Sequence, residues 1–398
     1  MIIGNLKDSF LNAYGGSSKG IHCYFAPGRV NLIGEHTDYN NGFVLPCALS
    51  FGTHLAVRRI SDPVIRFRSS NFDETAEIPV KDHYTRHSDS WINYPLGVIQ
   101  MFRQRGFPTL GLETPGLETP GLELFFSGNI PPAAGLSSSA SIEMVTAFAL
   151  NDMFGWNLDV TDLVHLSRKA ENEFVGVNCG IMDQFAVGHG KKDHAIFLNC
   201  GTLAYHHVPA RFPGYRLVIA NTNKKRGLAD SKYNERVAEC RKALDYLSKT
   251  FAIGSLGELG MEQFLEAQRL IKDPVALKRA RHVVSENKRV LEAVKALMNS
   301  DLEQLGRLMT ESHQSLRDDY EVTGHELDAL VESMMSRDGV PGARMTGAGF
   351  GGCAVAFVRE ECLEDFLKKV KEEYSNRTKL AAEFYLPEIG EGVGAVKL

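Results

Sequence analysis

The sequence predicts an α+β protein of two domains. Strand-like and helix-like segments mix along the chain without the regular alternation that marks a doubly wound parallel sheet. The chain has 398 residues, enough for two domains of ordinary size. From about Asn221 the sequence pattern changes from short apolar runs to long charged segments with helical spacing. We therefore expect a boundary near residues 200–215, with an N-terminal α+β domain of residues 1–205 and a C-terminal α+β domain of residues 206–398.

The elements of the first half are predicted from hydrophobic spacing and turn residues. The first helix is indicated by apolar residues at helical spacing, namely Ile3, Leu6, Phe10 and Tyr14. Short apolar runs predict strands, at residues 21–25, 43–45, 53–58, 64–68, 124–126 and 195–198. Later helix starts are indicated by capping residues or by a small-residue loop, at Ser90, at residues 133–141, and at Asp159 or Thr161.

Long charged helices dominate the second half. Amphipathic spacing predicts these helices, at residues 231–247, 275–298, 302–316 and 363–374. Strands are predicted between and after them, at residues 217–220, at residues 354–358 and near Phe384.

Composition excludes several classes of protein. The formal charge is −5, from 44 Lys and Arg against 49 Asp and Glu, so no basic field favours nucleic acid or an anionic membrane. The seven cysteines form no CxxC pair and no metal-ligand spacing, which is typical of reduced thiols in a cytoplasmic protein. The first eight residues lack the order of a signal peptide, and no apolar run is long enough to span a bilayer.

The segment from Ala133 to Ser141 is a small-residue loop that leads into a helix. Glycine, alanine and serine allow a phosphate to approach backbone amides, and the helix N-terminus adds its dipole and unpaired amides at the same point. No Gly-Lys-Ser/Thr closes the loop, so it is not a P-loop. The pattern predicts a nucleotide-phosphate site, with a packed strand–helix junction as the alternative.

A second group of functional side chains lies between Pro27 and Asn40. Carboxylates and imidazole can hydrogen-bond sugar hydroxyls, and an arginine suits a phosphoryl group or a catalytic carboxylate. The residues of this group are Arg29, Glu35, His36 and Asp38. A polar turn that closes a hairpin is the alternative, but such a turn does not require four functional residue types.

Three further segments carry weaker signals. Residues 347–352 form a Gly- and Ala-rich loop, which indicates either a phosphate contact or a crowded hairpin. Asp183 is an acid flanked by apolar residues, and on its own we interpret it as a helix cap rather than a catalytic carboxylate. The tandem Gly-Leu-Glu-Thr-Pro repeat at 111–123 predicts successive turns in an exposed hairpin extension.

Together these segments closely resemble the galactokinases of the GHMP small-molecule kinase superfamily. The run Pro-Gly-Arg-Val-Asn-Leu-Ile-Gly-Glu-His-Thr-Asp-Tyr at 27–39 is similar to the galactokinase signature. Residues 135–141 resemble the nucleotide-phosphate motif, and residues 345–353 resemble the third motif, with Ala348 in place of an expected glycine. Residues 179–184 and 315–320 are also typical of the family, and the resemblance spans about residues 26–385.

The resemblance implies two α+β domains with the active site in the cleft between them. It implies ATP-dependent phosphorylation of the C1 hydroxyl of α-D-galactose, the first committed step of galactose catabolism. The catalytic carboxylate would be Asp183, with Arg29 as its cationic partner. The implied galactose contacts are Glu35, His36, Asp38, Gly180, Asp183 and Tyr233.

The resemblance also implies the residues that bind ATP and Mg²⁺. The implied Mg²⁺ ligands are Ser139 and Glu171, although helical spacing alone does not choose Glu171 over Glu173. Trp91 and Tyr94 are expected near the adenine. The implied phosphate-binding residues are Gly135, Leu136, Ser137, Ser138, Ser139 and Ala140.

Other functions stay open at the level of the sequence. A sister sugar kinase, for N-acetylgalactosamine or arabinose, would share these motifs. A catalytically inactive galactose sensor would also share them, but is expected to carry a damaged phosphate loop. We expect D-galactose and ATP as partners, no nucleic acid, no membrane, and a monomer or a weak homodimer.

Overall fold

Helices and mostly antiparallel strands alternate irregularly along the chain in the computed structural model, which describes residues 3–88, 90–107, 121–131, 134–224 and 229–396. The α-helices are Ile3–Tyr14 (α1), Asn93–Gln104 (α2), Ser138–Phe154 (α3), Val160–Lys169 (α4), Met182–His189 (α5), Ala229–Leu247 (α6), Met261–Ala267 (α7), Pro274–Met298 (α8), Leu302–Ser315 (α9), Gly324–Met335 (α10) and Leu363–Thr378 (α11). Short π-helical turns, Ala170–Val175 and Leu316–Tyr320, extend α4 and α9.

The strands of the described residues form three sheets. They are His22–Asn31 (β1), Phe43–Val44 (β2), Pro46–Ile60 (β3), Val64–Ser69 (β4), Ala76–Pro79 (β5), Gly121–Gly128 (β6), His194–Asn199 (β7), Tyr205–Pro209 (β8), Tyr215–Asn221 (β9), Ala343–Thr346 (β10), Cys353–Arg359 (β11), Glu383–Tyr385 (β12) and Gly394–Ala395 (β13). The sheet orders are β13-β1-β3-β6-β4-β5, β10-β11-β9-β12 and β2-β7-β8.

The six-stranded sheet positions the N-terminal part of the site. Strands β1 and β3 pair antiparallel, with a register shift between Pro27 and Arg29, where the polar segment of residues 27–40 begins within β1. Helices α2 to α5 contribute buried residues to the same core as this sheet. The last strand, β13, returns to pair with β1, with Tyr24 opposite Ala395.

The four-stranded sheet positions the C-terminal part. Strands β10 and β11 form a hairpin around residues 347–352, and β9 pairs with the other side of β11. Helices α10 and α11 pack on this sheet through a core that includes Leu330 and Phe366. Another core joins both halves, because Val30 and Leu32 pack in one cluster with Ile219, Val290 and Val355.

Most of the predicted elements are present. Helix α1 and the long helices α6, α8, α9 and α11 lie where the spacing predicts them, and Asp159 is confirmed as an N-cap because its carboxylate accepts the amide of Asp162 at 2.8 Å. The predicted strands are present but mostly longer. The helix predicted after Ser90 begins only at Asn93, although Ser90 Oγ accepts the amide of Ile92.

The alternative of a short polar turn does not describe the segment at 27–40. Residues 27–31 belong to strand β1, and the segment continues as a loop to a 3₁₀ turn at Asp38–Asn40, before the chain returns in β3 to pair with β1. One interpretation made without the family context is wrong. Asp183 lies inside the first turn of α5, after Ile181 at the N-cap position, and its carboxylate binds Arg29 rather than a backbone amide. The predicted exposed extension at 111–123 is also wrong for residues 121–123, which are buried in strand β6. The rest of the repeat, at 111–120, and Ala133 lie outside the described residues.

Within the described residues, the model contains no helix that is both long and apolar enough to cross a membrane.

Candidate active site

A cavity of about 420 Å³ brings the predicted segments together. The polar segment after β1, the loop before α3, the segment before α5, the start of α6 and the β10–β11 loop all line it. The predicted residues that line this cavity are Arg29, Glu35, His36, Asp38, Tyr94, Gly135, Ser137, Ser138, Ser139, Glu171, Gly180, Asp183 and Tyr233. The sequence-predicted sugar and phosphate groups therefore share one site.

Arg29 and Asp183 form a bidentate ion pair, and both residues line the cavity. Arg29 donates from Nε to Oδ1 of Asp183 at 2.8 Å and from Nη2 to Oδ2 at 2.7 Å. The third arginine donor, Nη1, binds the carbonyl of Gly135 at 2.7 Å, and the Ser137 hydroxyl donates to Asp183 Oδ2. Burial opposes the charge of Arg29, but Asp183 and Glu35 raise its pKa above the usual value. The fixed guanidinium thus orients the carboxylate toward the cavity.

The small-residue loop lies beside this ion pair and brings backbone amides to the cavity. Ser137 has a left-handed backbone, with φ of 60°, and helix α3 begins immediately after it. The first amides of α3, at Ser138 and Ser139, have no partner inside the helix by geometry, and both residues line the cavity. Leu136 and Ala140 are different, because their side chains are buried in hydrophobic cores. Any contact from these two residues to a phosphate uses their main chain.

The third motif is a crowded hairpin that also reaches the cavity. A Cβ on Gly349 would lie 2.3 Å from the carbonyl of Val322, so the backbone approaches too closely for a side chain. Gly347 has φ of +87°, and a Cβ there would lie 3.1 Å from the carbonyl oxygen of Gly135. Gly347 and Ala348 line the cavity, so the methyl of Ala348 is accommodated at its wall.

The carboxylates of the polar segment lie in contrasting surroundings. Glu35 pairs with Arg344 at 2.7 Å, and both side chains are buried. Asp38 contacts Gly180 so closely that a Cβ there would lie 1.7 Å from Asp38 Oδ2. Burial, followed by the charge of Asp183, raises the pKa of Asp38 to about 6. Asp38 is therefore the acid of this group whose charge changes close to neutral pH.

His36 is a neutral hydrogen-bonding group. Burial, reinforced by His282, lowers the pKa of His36 to about 3. Its Nδ1 lies 3.0 Å from the Tyr39 hydroxyl, and its ring is 5.7 Å from the ring of Tyr233. The residue adopts a left-handed backbone with φ of 60°. Tyr233 enters from helix α6, so the sugar motif and the second half of the chain meet at this ring pair.

Ser139 and Glu171 lie together at another wall of the cavity. Both residues line the cavity. Burial raises the pKa of Glu171, and the nearby Ser139 hydroxyl partly offsets that rise. Gln184 Nε2 donates to the same carboxylate at 2.6 Å. Glu173 instead is exposed and pairs with Lys169 at 3.6 Å. The π-helical turn therefore directs Glu171, not Glu173, toward the cavity.

A second, apolar cavity of about 250 Å³ adjoins the first and shares Tyr94, Ser138 and Ser139 with it. Trp91 lines this second cavity. Phe72, which the sequence analysis missed, stacks on Trp91 with ring centroids 5.8 Å apart. The aromatic walls of this second cavity are suited to a flat apolar ring.

Arg344 and Gln184 are functional neighbours that sequence reasoning also missed. Arg344 is an isolated cation in the buried strand β10, and Gln184 follows Asp183 in α5. An arginine between Ala343 and Met345 is a signal that could have indicated a buried charge partner.

Three family descriptions match successive parts of the chain. The galactokinase galactose-binding signature matches residues 8–59, the N-terminal domain of GHMP kinases matches 93–191, and their C-terminal domain matches 293–376. Galactokinases of Clostridium beijerinckii and Bacillus subtilis are 50% and 47% identical to the chain over 392 and 394 residues, covering 98% of each protein. This chain belongs to the galactokinase family.

Solved structures agree with this membership. The crystal structure of Lactococcus lactis galactokinase complexed with galactose matches at a TM-score of 0.94, with 43% identity and 100% of each chain covered. The Methanococcus jannaschii mevalonate kinase, at a TM-score of 0.67 and 18% identity over 93% of this chain and 99% of that one, shares the fold. The predicted α+β GHMP kinase fold, the family and the kinase activity are confirmed.

Proposed function

We propose that the enzyme transfers the γ-phosphoryl group of ATP to the C1 hydroxyl of α-D-galactose, giving ADP and α-D-galactose 1-phosphate. The observation that carries this proposal is the Arg29–Asp183 pair, which lies where the sugar motif meets the phosphate loop. A carboxylate held there can contact a sugar hydroxyl and a transferring phosphoryl group at once. The full-length identity to galactokinases supports the choice of sugar.

Galactose would bind against the polar segment and its neighbours. Glu35 and Asp38 would accept hydrogen bonds from sugar hydroxyls, and neutral His36 can donate or accept one. Gly180 leaves room for the Asp38 carboxylate beside it, as its hydrogen is the only substituent that fits there. Tyr233 would close the pocket from the α6 side.

ATP would span the two cavities. The backbone amides of residues 135–139 and the N-terminus of α3 would hold the β- and γ-phosphates. The adenine ring would enter the apolar cavity beside Trp91 and Tyr94. Tyr94 and the two serines at the shared wall connect the base position to the phosphate position.

Mg²⁺ fits the oxygen donors at the Ser139–Glu171 wall. A hydroxyl and a carboxylate are ligands that this hard cation prefers, and both side chains line the same cavity. The part of the chain that the structure describes has no cluster of three or more acidic, histidine or cysteine side chains that could hold a metal. Phosphate oxygens and water would complete the coordination. The bound ion would neutralise charge on the β- and γ-phosphates.

Asp183 would orient the C1 hydroxyl and accept its proton. Arg29 donates two hydrogen bonds to this carboxylate and so fixes its orientation. In a loose phosphoryl-transfer transition state, the hydroxyl proton departs late, so orientation contributes more than basicity. Arg29 also offers positive charge close to the transferring group.

The decisive experiment measures ADP release by the purified protein with Mg-ATP and different sugars. Turnover with D-galactose well above N-acetylgalactosamine, L-arabinose and glucose is expected. Preferred turnover of another sugar would assign the protein to a sister kinase. Binding of galactose and ATP without turnover would indicate a sensor.

The remaining assignments extend the proposal. We propose a cytoplasmic enzyme, a monomer or weak homodimer, that needs neither nucleic acid nor a membrane. The division into domains 1–205 and 206–398 stays a prediction.

A further inference from the structure

The segment of residues 34–43, here called the sugar-binding loop, is hydrogen-bonded through its backbone to helix α8 of the second half of the chain. The Glu286 carboxylate, on α8, accepts the amide of Gly34 at 2.9 Å and the amide of Glu35 at 3.3 Å through Oε1. The Ser312 hydroxyl donates to the same oxygen at 2.6 Å. Glu286 is fully buried and is not among the residues that line the cavity. Glu286 therefore contacts the backbone of the loop but would not contact a sugar bound in the cavity.

His282 binds the next peptide unit, the one between Glu35 and His36. Its Nε2 lies 3.0 Å from the carbonyl of Glu35, and its Nδ1 lies 2.9 Å from the Ser315 hydroxyl. Burial lowers the pKa of His282 to about 4, so the ring is neutral and carries one N–H. A carbonyl only accepts, so Nε2 carries the hydrogen and Nδ1 accepts from Ser315.

His282 and Glu286 are one helical turn apart on α8, so they present one face to the loop. The amide and the carbonyl of Glu35 are both bound by this face. Asn287, the next residue, accepts the amide of Phe43 at 2.8 Å and fixes the return of the loop. The backbone that carries the sugar-binding side chains is therefore attached to α8 at both its ends.

The loop needs these hydrogen bonds because two of its residues, Gly34 and His36, have positive φ angles. Gly34 has φ of +97°, and a Cβ there would lie 2.6 Å from the carbonyl of Phe43. His36 has φ of 60°, a left-handed conformation that only a few per cent of residues other than glycine adopt. Such conformations persist where surrounding contacts determine them.

Glu286 is well suited to this task because it is a charged acceptor. Burial alone would raise its pKa, but the positive charge of Arg289 is the largest influence that lowers it, to about 2. Arg289 donates to Oε2 at 2.7 Å, which leaves Oε1 for the loop amides. Hydrogen bonds to a charged acceptor are stronger than those to a neutral one.

We infer that Glu286, with His282, is a positioning residue for galactose: it fixes the Gly34–His36 backbone so that Glu35 and His36 face the sugar. The inference rests on the proposed function. Because neither residue touches ATP or the phosphate loop, loss of the contacts weakens galactose binding and leaves nucleotide binding unchanged.

The test compares Glu286→Gln with Glu292→Gln in the full-length enzyme. Glu292 lies on the same helix and pairs with Lys288 at 3.7 Å, away from the loop. Glu286→Gln is expected to raise the KM for galactose about tenfold, with the KM for ATP and kcat within twofold of the wild type. Glu292→Gln is expected to change none of the three.

A second variant covers the case in which Glu286→Gln does not fold. His282→Leu keeps a similar volume but removes the donor to the Glu35 carbonyl, and is expected to raise the galactose KM severalfold with the ATP KM unchanged. The galactose Kd, measured by calorimetry without nucleotide, is expected to change in parallel. A merely structural role would lower the melting temperature without changing either constant for galactose.

Two results separate the possible failures. Variants that lose thermal stability but keep the galactose KM and Kd of the wild type would overturn the positioning role. A wild-type enzyme that does not phosphorylate galactose would instead overturn the proposed function.

Discussion

Asp183 is the residue on which the proposed chemistry depends most directly. Asp183→Ala is expected to lower kcat by about a thousandfold, because the C1 hydroxyl loses the group that orients it and takes its proton. ATP binding is expected to stay within threefold of the wild type. Turnover and ATP affinity are measured by ADP release and by calorimetry.

A control is needed because removing Asp183 leaves Arg29 buried without its partner. Asp183→Asn keeps the shape of the side chain and is expected to lose turnover to a similar degree with less loss of stability. Either variant turning over near the wild-type rate would exclude the catalytic role.

Asp38 is expected to give the enzyme an acidic limit for sugar binding. Its pKa is raised to about 6 by burial and then by Asp183. As the pH falls through about 6, Asp38 gains a proton and loses a charged acceptor, so the KM for galactose should rise. The measurement is the galactose KM between pH 5 and 8. In Asp38→Asn the KM should be high throughout, and an unchanged inflection would assign it to another group.

Gly180 is a residue where one added methyl group should disrupt the sugar site. A Cβ at Gly180 would lie 1.7 Å from Asp38 Oδ2, so Gly180→Ala must displace that carboxylate. The expected result is a galactose KM raised about tenfold, with ATP binding unchanged. Gly394→Ala is the control, because nothing lies within 4 Å of a Cβ there. Equal KM values for the two variants would contradict the proposed contact.

At the scale of an element, the π-helical turn after α4 determines which carboxylate reaches the cavity. Glu171→Gln is expected to raise the Mg²⁺ concentration needed for half-maximal activity about tenfold, since an amide oxygen is a weaker ligand than a carboxylate. Glu173→Gln is the matched control, two residues away and exposed. Equal Mg²⁺ requirements in the two variants would exclude Glu171 as a ligand.

Long periodic helices were predictable from the sequence, whereas some short edge strands were not. Helices α6 and α8 repeat their apolar spacing over several turns, so their positions follow from the pattern. Strands β5 and β13 have only 4 and 2 residues, too few to show any period. They exist because neighbouring strands offer unpaired edges, which is a tertiary effect.

The candidate site was predictable in its polar segments but not in its supporting contacts. Arg29 and Glu35 stand out among glycines in one short stretch. The partner of Glu35, Arg344, comes from a strand more than 300 residues later. Glu286 likewise belongs to a helix whose pattern reports only its amphipathic face. No local pattern links such residues to the site, because their proximity arises only from the fold.

At the scale of the whole molecule, the two predicted halves share a hydrophobic core. Val30 and Leu32 of β1 pack in one cluster with Ile219, Val290 and Val355. A fragment of residues 1–205 lacks those partners and also strand β13, which pairs with β1. We expect this fragment not to unfold cooperatively on heating, as monitored by circular dichroism against the full chain. A sharp transition in the fragment would show that the N-terminal half is autonomous.

The aromatic wall of the apolar cavity also has an optical consequence. The chain contains two tryptophans, and Trp156 stacks on Phe154 at 5.1 Å, in a different environment from Trp91. With Trp156 replaced by phenylalanine, all indole emission would originate beside the expected adenine position. Such a variant would be a single-fluorophore reporter, in which nucleotide titration and stopped-flow mixing follow occupancy of the base pocket without a label or a coupled assay.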